Sequence, residues 1–144
     1  MLIDSILQAK GRTVATIDPE ASMGDAARAL AVHGIGALVV SSDGERIEGI
    51  LSERDIARAI GARGADALGE RVRDLMTSDV TTCTGRDTVD GLMEVMTARR
   101  IRHLPVVEDD RLAGIVSIGD VVKHRLDELK TETQTLHDYI ALGR

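Results

Sequence analysis

The chain has 144 residues, the size of one compact domain or of two small lobes sharing a core. Its formal net charge of -6 lacks the basic footprint that counterion release from nucleic acid requires, which sets aside general nucleic-acid binding. No apolar run approaches the ~20 residues that span a bilayer.

The N-terminal run MLIDSILQAKG carries Asp4 early and does not read as a signal peptide, so a cytoplasmic protein is expected. A short helix over Met1–Gln8, with Ile3, Ile6 and Leu7 on its apolar side, is predicted to cover one end of the fold. A strand follows at Val14–Ile17. A helix then opens at Ser22, a good N-cap, with Met23, Ala27 and Leu30 as its apolar stripe. Ala37–Ser41 and Ile47–Leu51 form a hairpin around the turn Ser42-Asp43-Gly44, and a second helix starts at Ser52.

The same order then recurs. Val80–Cys83 is the strand, Thr88 the N-cap, and Val89, Met93 and Met96 the stripe. Leu104–Val107 and Leu112–Val116 form the hairpin around Glu108-Asp109-Asp110, and Ser117 starts the last helix. Val14, Thr16, Ile35, Leu38 and Val40 find identical residues 66 positions on. After the hairpin turn the offset is 65, and Gly49, Ile50, Ser52 and Asp55 match Gly114, Ile115, Ser117 and Asp120. The chain is therefore an internal repeat of β-α-β-β-α units. One unit buries too little surface to be robust alone. Two units packed sheet to sheet about a pseudo-twofold axis solve that problem and open clefts between equivalent loops.

GILSERD (Gly49–Asp55), GIVSIGD (Gly114–Asp120) and RRIRHLPVV (Arg99–Val107) resemble the signature of CBS domains, the cystathionine β-synthase-type regulatory domains. The resemblance covers residues 11–126, and the tandem order is similar to small stand-alone bacterial CBS-pair proteins. It implies an α/β fold of two CBS repeats. The expected division is an N-terminal helix over 1–10, repeats over 11–65 and 66–126, and a C-terminal helical extension over 127–144. It also implies an adenine nucleotide (AMP, ATP or NAD) as regulatory ligand in an energy-sensing role, and frequent homodimers. It does not single out one ligand.

The S-x-x-D element has two readings. Ser52 with Asp55, and Ser117 with Asp120, have capping-box spacing, in which Ser and acid exchange hydrogen bonds with the helix start. An acid on a first helical turn can also accept hydrogen bonds from ribose hydroxyls, beside backbone N–H groups that favour phosphate. The resemblance assigns ribose binding to Asp120 and Asp55.

Cations are unevenly placed. Arg102 and His103 open the second strand of copy two, where copy one has Gly36 and Ala37. Arg102, always charged and capable of bidentate contacts, is a candidate phosphate ligand, as it is a candidate solvated surface residue. Arg54 precedes Asp55, and Gly119 precedes Asp120, where it can let a phosphate approach the backbone. The resemblance also implies clefts shared between copies. One joins Asp120 and Ser117 to Arg12, Thr13 and Val14; the other joins Asp55 and Ser52 to Ser78, Asp79 and Val80. Thr13, Val14, Ser78, Val80 and Ile101 are the adenine-pocket candidates. Arg12 on one side and Asp79 on the other make the Asp120 cleft the expected better phosphate site.

Tyr139 is the single aromatic, so an adenine slot must be aliphatic. Cys83 is the only cysteine and matches Ile17, an inward strand position. His33, His103, His124 and His137 have no partners at metal-ligand spacing, and no nucleophile–base constellation is legible, so no catalysis is expected. Leu126, Leu129, Thr133, Leu136 and Ile140 form a coiled-coil-like stripe, the expected dimer seam. The expectation is a nucleotide-sensing module with an unknown regulated partner. The alternative is a constitutive interaction scaffold with vestigial pockets.

Overall fold

The computed structural model describes residues 1–143; Arg144, the end of the expected C-terminal extension, lies outside them. In chain order the elements are α1 (Ile3–Lys10), β1 (Thr16–Ile17), α2 (Met23–His33), β2 (Ala37–Val40), β3 (Gly49–Ser52) and α3 (Glu53–Arg63). A 3₁₀ segment, Gly64–Gly69, leads into α4 (Val72–Leu75), β4 (Cys83–Thr84), α5 (Val89–Arg99), β5 (His103–Glu108), β6 (Arg111–Ser117) and α6 (Ile118–Leu142). Two three-stranded sheets result, ordered β1-β2-β3 and β4-β5-β6. In each, the first pair is parallel and the second an antiparallel hairpin. The duplicated unit read from the sequence is present twice.

Local chemistry fixes the helix starts. Ser22, Ser52 and Ser117 each accept from the backbone N–H three residues on, and Asp25, Asp55 and Asp120 return the bond to complete capping boxes. Thr88 caps α5. The β5–β6 turn places Asp109 and Asp110 at positive φ, 52° and 62°, the twist a two-residue hairpin needs.

Each repeat has its own core. Met23, Leu30, Leu38, Leu51 and Ile56 fill the first, and Val89, Met96, Leu104, Val116 and Val121 the second. The helical stripes are turned by one residue from the expectation: Ala26 and Leu92 are fully buried, while Ala27 and Met93 lie at the margin. The first strands are shorter than Val14–Ile17 and Val80–Cys83 and start later. In copy one the pairing tails off at Ala15, whose carbonyl accepts a 3.3 Å bond from Val39.

The segment before each repeat packs on the other repeat. Ile3, Ile6 and Leu7 of α1 enter the second core, and Ala67 and Val72 enter the first. The anchoring is equivalent: Leu2 bridges to Thr88 and Arg71 to Ser22, the two N-cap positions. Leu112 N–H donates to the Glu45 carbonyl at 2.8 Å, tying the two hairpins together. Val39 and Pro105 are also buried, on the sheet faces turned away from Leu38 and Leu104.

Candidate functional site

Each S-x-x-D motif sits where a strand ends and a helix begins. Register places Ser52 opposite Ala37 and Ser117 opposite His103. The Asp55 carboxylate accepts from Ser52 N–H at 2.9 Å and from Ser52 Oγ at 3.1 Å, both through Oδ2. Capping thus uses one oxygen and leaves Oδ1 for a further donor. Both readings of the motif are geometrically compatible.

A cleft of about 420 Å³ opens beside Asp55, within the size range of small-molecule sites. Its acid and Ser52 come from copy one, and Asp79, Val80 and Thr81 from copy two, so the expected pairing across copies is brought together there. Ile50, Val80 and Ile101 supply the apolar lining. Ser78 is exposed, with its neighbours Thr77 and Asp79 in the wall. Arg54 and Arg102 line the cleft as expected, joined by Arg58, Arg99 and Arg100, which the sequence reading did not single out. Arg54 donates to the Arg100 carbonyl at 3.3 Å and Arg99 to Thr81 Oγ1 at 2.9 Å. Arg58 could have been found: it lies one helical turn after Asp55 and shares its face.

His103 is half-buried between the two motifs. Gly36 makes room for it, since a Cβ there would lie 3.2 Å from both the imidazole and the Glu53 carboxylate. Burial and the nearby Arg102 and Lys10 charges push its pKa below the ordinary histidine value, against the opposing pull of Glu53 and Asp120.

The Asp120 side is built differently. Lys10 Nζ contacts Asp120 Oδ2 at 2.7 Å and donates to the Ile115 carbonyl at 2.9 Å. Partial burial pushes the Asp120 carboxyl up, but the bonds from Lys10 and Ser117 and the Lys10 charge outweigh it and hold the pKa below the usual carboxylate value. Arg12, expected to face a phosphate here, is 2.9 Å from Asp4 and 3.9 Å from Glu108 instead. Thr13 is exposed and Val14 half-buried. Gly119 lines a shallow groove along α6 with Ile118, Val122 and Leu126.

CBS domains match residues 11–62 and 72–127. The chain belongs to the CBS domain family. A CBS-domain containing protein from Agrobacterium tumefaciens is 48% identical, with a TM-score of 0.83 over 86% of this chain and 92% of that one. The mitochondrial CBS domain-containing protein CBSX3 of Arabidopsis thaliana is 41% identical over 83% of this chain; the chain spans 60% of that relative's length. A CBS domain pair solved in complex with 5′-methylthioadenosine and S-adenosyl-L-methionine is 26% identical, with a TM-score of 0.74 over 89% of this chain and 98% of that one. The CBS pair is a regulatory module, and adenosine ligands bind within this family.

The other expectations divide by location. Among the described residues no group of His, Cys, Asp and Glu is arranged to hold a metal ion, and no helix is long and apolar enough to cross a membrane. Cys83 is buried in the second core, where burial and the Asp87 charge push its pKa up to about 12. Leu126, Leu129, Leu136 and Ile140 are all more than half exposed, so the stripe does not pack on its own lobe.

Proposed function

We propose that this chain is a non-catalytic regulatory CBS pair that binds an adenine nucleotide (AMP, ATP or NAD) between its repeats and passes occupancy to a partner protein. The Asp55 cleft carries the reading. A carboxylate with a free oxygen, a capped helix N-terminus, an aliphatic slot and several cations converge on one opening. The sequence reading favoured Asp120 as the stronger site on charge alone. Lys10 reverses that order, because a ligand at Asp120 must first displace a cation already in place. In this reading Asp55 is the ribose acceptor of the first ligand, and Asp120 belongs to a second, weaker cleft. Arg54 and Arg102 face the phosphate, while Val80 and Ile101 hold the base. The half-exposed leucines of α6 provide the face through which two copies, or a copy and a partner, would feel the change.

Calorimetric melting with AMP, ATP, NAD and adenosine tests this, since the chain has no Trp to report unfolding. A ligand at 100 times its Kd adds about 2.7 kcal/mol to stability. Unchanged melting with all four at about millimolar concentration defeats the nucleotide reading, and turnover of any of them defeats the non-catalytic one. Light scattering tests the seam: Leu129→Glu with Leu136→Glu should shift a dimer toward monomer.

A further inference from the structure

Helix α5 ends on an arginine in a backbone conformation that normally belongs to glycine. Arg100 has φ 55° and ψ 42°, and its N–H bonds the Met96 carbonyl. The equivalent end of α2 is Gly34, with φ 64° and ψ 38°, bonding the Leu30 carbonyl. The two caps are the same structure, down to the next residue: Ile101 and Ile35 donate to those same carbonyls, each at 3.1 Å. Glycine adopts this geometry freely, while a side chain with a Cβ is strained in it. Helix capping alone therefore favours glycine at both positions, and it does not account for arginine at one of them.

The surroundings account for it. Arg54, Arg58, Arg99, Arg100 and Arg102 gather around one cleft of a chain with net charge -6. Among the described residues, Arg12, Arg28, Arg63, Arg71, Arg73, Arg111 and Arg125 take carboxylate partners, and outside the cleft only Arg46 and Arg86 do not. None of the five cleft arginines does. A second hollow of about 220 Å³ adjoins the cleft and shares Arg54, Arg100, Ile101 and Arg102 with it. Arg54, Arg100 and Arg102 thus line both hollows. One phosphate group, with three acceptor oxygens, cannot give each of three guanidinium forks its own bidentate pair. A chain of phosphates can, with each fork taking a bidentate contact.

We propose that Arg100 is held in the left-handed conformation for its charge, and that with Arg54 and Arg102 it selects a nucleoside polyphosphate over a monophosphate or a cationic sulfonium nucleoside. The proposal rests on the adenine-nucleotide reading of the Asp55 cleft and adds the ligand class to it. Arg100 is a specificity residue whose backbone strain is accepted for its side chain.

Titration calorimetry on the whole chain decides it, with adenosine, AMP, ATP, S-adenosylmethionine and inorganic tripolyphosphate as probes. ATP should bind at least tenfold tighter than AMP, and S-adenosylmethionine should bind weakest. Arg100→Gly should lower ATP affinity about tenfold or more, leave adenosine unchanged and not lower the melting temperature. Arg100→Asn, which tolerates the backbone but has no charge, should behave alike, and Arg100→Lys should restore part of the affinity. If ATP and AMP bind equally, or if Arg100→Gly weakens adenosine and ATP alike, the polyphosphate proposal is overturned while the adenine reading stands. If tripolyphosphate binds as tightly as ATP and adenosine does not bind, the anion selection stands and the adenine reading falls. If no probe binds, both fall.

Discussion

The Asp55 and Asp120 ends of the molecule start from one motif and finish as different sites. Both have a capping Ser, an acid on the third helical position and a strand carbonyl at the edge of a hairpin. The difference comes from the helix that precedes each repeat. Helix α4 has four residues, so the chain leaves it early, and Thr77 exchanges two 3.0 Å backbone bonds with Ile50. The strand edge is satisfied by backbone, and the space beside Asp55 stays open. Helix α1 has eight residues, and its last turn carries Lys10 to the Ile115 carbonyl, the equivalent of Ile50. A side chain satisfies the edge here, and its charge lands on Asp120. One extra helical turn converts an open cleft into an occupied one.

The largest expected effect reverses the order that charge in the sequence suggests. Asp55→Ala should weaken nucleotide binding more than Asp120→Ala. A hydrogen bond to an ionised acceptor is worth about 1.5–3 kcal/mol, or roughly ten- to 150-fold in affinity. Titration with ATP on both variants checks this, and melting curves separate it from lost capping. A greater loss for Asp120→Ala would mean that the ligand displaces Lys10 readily, and the comparison between clefts would invert.

Much of this was legible in the sequence. The repeat, the four N-caps and the acid–serine pairs are local or periodic signals, and they survive folding because each is satisfied within a few residues. The faces of α2 and α5 were less legible: Met23, Ala26 and Leu30 fit helical spacing as well as Met23, Ala27 and Leu30 do. Leu92 against Met93 poses the same ambiguity. Only packing chooses, and it chose Ala26 and Leu92. Lys10 was illegible because its partner is 110 positions away. Arg12 was read as a free cation for a similar reason, since Asp4 lies eight residues back, about two helical turns, and Glu108 belongs to the other repeat.

The close approach of the preceding segment to each hairpin gives a second comparison. A Cβ on Gly49 would lie 2.5 Å from Met76 Sδ and 2.9 Å from the Thr77 carbonyl oxygen. One on Gly114 would meet only the Leu7 side chain, at 2.8 Å. Backbone cannot move aside as a side chain can, so Gly49→Ala should cost more stability than Gly114→Ala. Overpacking of this kind costs about 1–3 kcal/mol. Equal losses in thermal unfolding would show that the segment before the second repeat is as pliable as a leucine side chain.

Removing Lys10 sharpens the comparison at smaller energy. The Lys10–Asp120 pair is partly exposed, with 32% and 22% of the two side chains accessible. Its contribution to stability should be modest, about 0.2–1 kcal/mol. Its effect on stoichiometry should be plain: Lys10→Ala should raise the number of nucleotides bound per chain from one toward two. Calorimetric stoichiometry that stays at one would show that the Asp120 cleft lacks more than an empty carboxylate.

The smallest effect is a pH dependence that belongs to copy two alone, since His103 stands where copy one has Ala37. Burial, then the Arg102 charge, then Lys10 lower the His103 pKa below its ordinary 6.5, while Glu53 and Asp120 oppose them. The unfolded chain therefore binds this proton more readily than the folded one, and stability rises with pH through the window. The stabilisation is complete above the unfolded value of 6.5 and is lost as pH falls through the depressed folded value. Asp120, also depressed, acts in the same direction but only below the ordinary carboxylate value of 3.8, so the two windows do not overlap. The melting temperature should fall on acidification from about pH 7 to about pH 5, and His103→Gln should flatten that slope without changing the loss at lower pH. If the slope persists in His103→Gln, another group carries it.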